Sequence, residues 1–119
     1  MNTSNRNAPR FSTYAEALDL IGGRDSVKIG HNTYLERLEN GTLGVRLHRT
    51  YIVKFNASGS VELFTGGWRT ITTKERMNRY LPAGHSVYQR ANVWRITGPD
   101  GVEQDFQEGI MIVQRAVTA

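Results

Sequence analysis

The chain has 119 residues, 39% of them hydrophobic, a formal charge of +4 and no cysteine. That is one domain's length, enough to hide roughly two-thirds of the unfolded surface in a core. The missing thiols exclude disulfides, thiolate zinc sites, iron–sulfur clusters and cysteine nucleophiles. No apolar run approaches the ~20 residues that span a bilayer, and MNTSNRNAPR lacks the apolar core of a secretory leader, so the expected location is cytoplasmic with no membrane partner.

Residues 1–10 are polar and read as a flexible arm ahead of a single α+β domain over 11–119. In STYAEALDLIGG, Thr13 and Glu16 have capping-box spacing, and Tyr14, Ala17, Leu18 and Ile21 recur on one helical face. Gly22 and Gly23 supply the left-handed stop. TYLERLENGTLGVRL then places Asn40-Gly41 between two strand-like runs, the signature of a two-residue hairpin turn. Leu43, Val45 and Leu47 alternate with Gly44 and Arg46, so one face is expected inside. In TYIVKFNASGSVELF the inward set is Tyr51, Val53 and Phe55, then Val61 and Leu63 beyond the turn at Asn56 to Gly59. Gly66-Gly67 breaks the strand. Thr72 and Glu75 form a second capping-box pair, predicting a short helix near residues 73–81 that ends before Pro82. Two hairpins complete the chain, SVYQRANVWRIT and, across Gly98-Pro99-Asp100-Gly101, VEQDFQEGIMIV. Antiparallel hairpins with two short helices predict a small roll or partly open barrel.

Candidate chemistry is sparse. His31, His48 and His85 stand far apart, with no spacing that one helix could use to grip a metal. No GxSxG is present, and the carboxylates fall in turns and on strand exteriors, so neither catalysis nor any cofactor or metal is expected. TGGWRTITTK has glycines and a lysine but lacks the GxxxxGK[ST] spacing of a phosphate loop. Thr72, Thr73 and Lys74 at a helix N-terminus suit an anion, although a closed capping box would already fill that seat.

Charge is unevenly spread. Residues 1–39 balance, residues 40–98 carry nine basic residues against Glu62 and Glu75, a net of +7, and residues 99–119 have a net of −3. On the second helix Met77, Tyr80 and Leu81 are the apolar face, which turns Lys74, Arg76 and Arg79 outward, with Glu75 able to pair with Arg79. Trp94, beside Val93, is expected in the core. Trp68, after two glycines, is the better candidate for exposure, core packing being the competing reading.

KIGHNTYLERL, VRLHRTYIVKF, GSVELFTGGWRTITTKERMNRYL and SVYQRANVWRI resemble a family of small, uncharacterised proteins of tailed bacteriophages. The resemblance runs from Lys28 to Ile96, centred on the GGWRT–TTK–R–N string between Gly66 and Asn78. It implies a protein at work in an infected bacterium, where small basic phage proteins touch nucleic acid or bind and disable a host protein.

The expected function is therefore a non-catalytic, sequence-tolerant nucleic-acid-binding module. Arg69, Lys74, Arg76 and Arg79 would contact phosphates of DNA or RNA, Arg46 and Arg49 would extend the patch, and Trp68 would stack on a base. The alternative is an inhibitor of a host (defence) factor or a minor virion or assembly component. An open edge strand at the C-terminal hairpin would allow a dimer.

Overall fold

The computed structural model describes residues 9–113. Most of the expected arm, residues 1–8, and residues 114–119 lie outside them. Helix α1, Tyr14–Ile21, starts as its sequence dictates: the Thr13 side chain accepts the Glu16 amide, and Glu16 in turn accepts the Ser12 amide at 2.9 Å. Ala17 and Ile21 are buried, whereas Leu18 of the expected apolar stripe is exposed and Leu20 packs against the core in its place.

Strands β1 (Ser26–Gly30), β2 (Thr33–Arg37), β3 (Leu43–Leu47), β4 (Thr50–Phe55) and β5 (Val61–Leu63) follow as an antiparallel meander. Leu35, Val45, Val53 and Leu63 line up across four of them and are fully buried. Asn40 and Gly41 both take the left-handed conformation their types favour, with the Thr42 amide donating to the Glu39 carbonyl at 3.2 Å. The ladder resumes only at Arg37 opposite Leu43, so the expected tight turn sits within a longer connection.

Strand β4 departs from simple alternation. Val45 pairs with Val53 but Arg46 pairs with Tyr51, so Ile52 is an extra residue in a bulge. Ile52 turns into the core, and Tyr51, expected inside, instead reaches the Glu36 carboxylate with its hydroxyl at 2.7 Å.

Helix α2 spans Ile71–Arg79, two residues earlier than expected at each end. The Thr72–Glu75 capping box does not form. Thr70, extended at φ −111°, ψ 165°, is the cap and accepts the Thr73 amide at 3.1 Å. Glu75 turns away from the helix start to the guanidinium groups of Arg76 and Arg79.

A second, three-stranded antiparallel sheet contains β6 (Ser86–Arg90), β7 (Val93–Thr97) and β8 (Glu103–Asp105). The turn across Gly98 to Gly101 joins β7 to β8 as expected, but β9, Ile110–Ile112, leaves this sheet and pairs with β5 at the edge of the first. The α+β fold therefore holds two antiparallel sheets that are not closed into a barrel. Helix α2 touches both, through β4 and β6. Phe11 stacks on Tyr80 at 4.6 Å beside Phe55, and Trp94 meets Phe106 edge-on at 5.8 Å.

Candidate functional site

Most of the central arginines meet the chain's own carboxylates. Arg46 on β3 makes a bidentate pair with Glu36 on β2, Nε to Oε1 at 3.1 Å and Nη2 to Oε2 at 2.9 Å, and lies over the Tyr34 ring. These hydrogen bonds from Arg46, opposed by burial and helped by Tyr51 and Ser26, hold the Glu36 carboxyl down at about 2. Arg69 approaches Glu108 at 3.7 Å and covers the rings of Trp94 and Phe106. Arg90 pairs with Glu103, and Arg95 with both Glu103 and Asp105. The acidic C-terminal stretch thus meets the basic middle at Arg69, Arg90 and Arg95.

Arg76 and Arg79, expected on the outer face of α2, are not laid out there. Arg76 is only 8% exposed; its Nε donates to the Thr33 hydroxyl at 3.1 Å, and it pairs with Glu75. Thr33 passes the bond on to the His31 carbonyl at 2.7 Å, so Arg76 ties α2 to the turn between β1 and β2. The Arg79 side chain is 7% exposed and shares Glu75. The physical reason is reach: a long guanidinium side chain beside a helix's apolar face can fold under it when a carboxylate and a hydroxyl satisfy it there. Lys74 extends towards β6, Nζ to Gln89 Oε1 at 3.3 Å, over the Trp94 ring.

Arg49 and Trp68 come together. The β3–β4 connection is the pair His48 and Arg49, with His48 left-handed at φ 54° and its carbonyl accepting Arg46 Nη1 at 2.5 Å. Across from this turn the segment from Thr65 leads into α2. Between them lies a cleft of about 450 Å³ lined by His48, Arg49, Thr50, Thr65, Trp68 and the threonines at the start of α2, with Leu47 and Ile52 beneath. No carboxylate among the described residues lines it. Among the described residues Arg49 has no acidic partner, and Trp68 is 67% exposed. An unpaired guanidinium, a free indole face and hydroxyls around an apolar floor can hold a planar group bearing an anion. No cluster of His, Asp and Glu among the described residues is arranged to hold a metal.

The loop that carries Trp68 is itself built around an anion. Glu108, between β8 and β9, accepts the Thr65 amide at 2.8 Å, the Thr65 hydroxyl at 2.5 Å and the Gly66 amide at 2.9 Å. Burial raises its carboxyl, but these donors from Thr65 and Gly66, with Arg69, outweigh that and lower it. Glu108 and Glu36 carry no local signal in the sequence, because their partners lie on other elements, and the same holds for the bond from Arg76 to Thr33. Only the left-handed bias of a two-residue turn could have singled out His48-Arg49.

No curated protein and no solved structure matches the chain. A family model does, over residues 13–113, with the description Kyanoviridae Gp96 protein. No helix among the described residues is long and apolar enough to cross a membrane. With most of its length matched, the chain belongs to the Kyanoviridae Gp96 protein family, a family of phage proteins.

Proposed function

We propose that this phage accessory protein is a non-catalytic module that binds single-stranded nucleic acid, with little regard to sequence, at the cleft between the β3–β4 turn and α2. The supporting observation is the cleft that joins Arg49 to the exposed face of Trp68 and in which, among the described residues, there is no carboxylate and no acidic partner for Arg49. A phosphate would meet Arg49 and a neighbouring base would stack on the indole, a contact that tolerates any base because each presents a π-face. A paired duplex hides those faces, so the strand must be single. The footprint is small, because Arg46, Arg69, Arg76 and Arg79 are engaged with carboxylates.

Fluorescence anisotropy with labelled oligonucleotides at low salt tests this. Single strands should bind, duplex of equal length should bind more weakly, and Trp68→Ala should remove the difference. Failure of both DNA and RNA strands to bind, or equal binding of duplex, contradicts it.

A second reading has one observation in its favour. Ile71, at the first position of α2, is 82% exposed close in sequence to Trp68. An aromatic and an aliphatic side chain presented together suit the centre of a contact with a host protein. Capture of a bacterial protein by the wild type but not by Trp68→Ala/Ile71→Ala, with no nucleic acid bound, would favour that reading.

A further inference from the structure

We infer that Glu108 is the positioning residue for the cleft: its carboxylate holds the 65–70 segment in the one conformation that stands Trp68 opposite Arg49. The inference rests on the cleft being the binding site, as proposed above. The far end of the segment is fixed by Arg69 packed on Trp94 and Phe106 and by the Thr70 cap, which leaves the two glycines before Trp68 to be held by backbone contacts. Gly66 and Gly67 both have positive φ, 63° and 88°, conformations in which glycine is free to wander when nothing binds the backbone.

Two anchors restrain them. On one side Gly66 presses on Thr50 so closely that a Cβ would lie 2.9 Å from its side chain. On the other the Glu108 carboxylate collects the Thr65 and Gly66 amides and the Thr65 hydroxyl. That hydroxyl also accepts the Gly67 amide at 3.2 Å, and the Thr65 carbonyl accepts the Trp68 amide at 3.0 Å. A continuous chain of hydrogen bonds therefore runs from Glu108 through Thr65 to the backbone of Trp68. Thr65 has no exposed surface, so water does not readily replace a lost partner. Glu108 lies outside the cleft lining and acts through Thr65 and Trp68.

The test uses the full chain with fluorine-labelled tryptophan, its two signals assigned with Trp68→Phe. In Glu108→Ala the Trp68 signal should move and broaden and its quenching by acrylamide should rise, with the protein still folded by circular dichroism. Affinity for a single-stranded oligonucleotide should fall about tenfold as the pre-set wall is lost. Glu108→Gln, which can still accept the two amides but loses the charge facing Arg69, should fall between wild type and Ala. If Glu108→Ala does not fold, Thr65→Val, which removes the hydroxyl at the middle of the chain, carries the same expectation.

An unmoved Trp68 signal in a folded variant overturns the inference. So does tighter binding by Glu108→Ala, because Glu108 would then be a competitor for the ligand's anion. A Trp68 signal that moves while even the wild type binds no strand upholds the positioning role and discards the nucleic-acid reading.

Discussion

Asn78 joins α2 to the second sheet, and its replacement should separate the two. Its side-chain amide donates to the Val87 carbonyl at 2.7 Å, and its Oδ1 accepts the Val87 amide at 2.7 Å. Strand β6 lies at the edge of its sheet, so this carboxamide takes the place of a neighbouring strand for one residue. Two ordinary hydrogen bonds contribute about 2 kcal/mol, and because Val87 is buried its orphaned amide and carbonyl make that figure a lower bound. Asn78→Ala should therefore cost at least about 2 kcal/mol, or roughly 8 °C in Tm for a domain of this size. Asn78→Asp is the sharper probe. Near pH 7 it sets a carboxylate oxygen against the Val87 carbonyl and should be worse than Ala. Protonation below about pH 4 restores a donor and should bring it closer to wild type measured at the same pH. Thermal unfolding followed by circular dichroism reads both. An Ala variant within about 0.5 kcal/mol of wild type, or an Asp variant as stable as wild type at neutral pH, would refute the role assigned to this amide.

Three other perturbations test the contacts assigned to Arg76, Glu36 and Gly66. Arg76→Met leaves the Thr33 hydroxyl without its guanidinium and Glu75 with Arg79 alone, and should cost about 2–3 kcal/mol in urea unfolding, while leaving oligonucleotide affinity per folded molecule unchanged. Glu36 has a folded pKa of about 2, below its ordinary 4.5, so its contribution is complete above about pH 4.5 and is lost as pH falls towards 2. With the side chain 18% exposed and screened, that contribution is on the order of 2 kcal/mol, and Glu36→Gln should flatten the acid limb of a stability–pH curve by that amount. Gly66→Ala adds a Cβ 2.9 Å from Thr50 at φ 63° and should lower Tm clearly more than Gly67→Ala, whose added carbon meets nothing within 4 Å; equal effects would remove the close approach as the cause.

The parts of the fold set by neighbours in sequence were legible in it. Thr13 caps α1, Gly22 ends it, and Leu43, Val45 and Leu47 alternate inward because each depends on residues within one turn or one pleat. The bulge at Ile52 was not, since the register that makes it an extra residue is a relation between β3 and β4. Nor was the start of α2: Thr70 and Thr72 are both competent caps, and the choice turned on Glu75 having two arginines to satisfy. The charge pattern misled for a related reason. A +7 segment suggests a surface patch, but its arginines other than Arg49 find Glu36, Glu75, Glu103, Asp105 and Glu108 on other strands and turns or on their own helix. Of the residues proposed for binding, Arg49 and Trp68 share the cleft, and nothing in their separate contexts announced that pairing.

The dependence of single-strand affinity on salt is the most direct measurement. Each phosphate neutralised on a single strand adds about −0.7 to the slope of log Kobs against log salt concentration. A cleft that offers Arg49 to one or two phosphates should give a slope near −1, and Arg49→Ala should bring it close to zero. A slope approaching −5, as about seven engaged cations would give, or a slope that Arg49→Ala leaves untouched, would show that the strand is held elsewhere on the molecule.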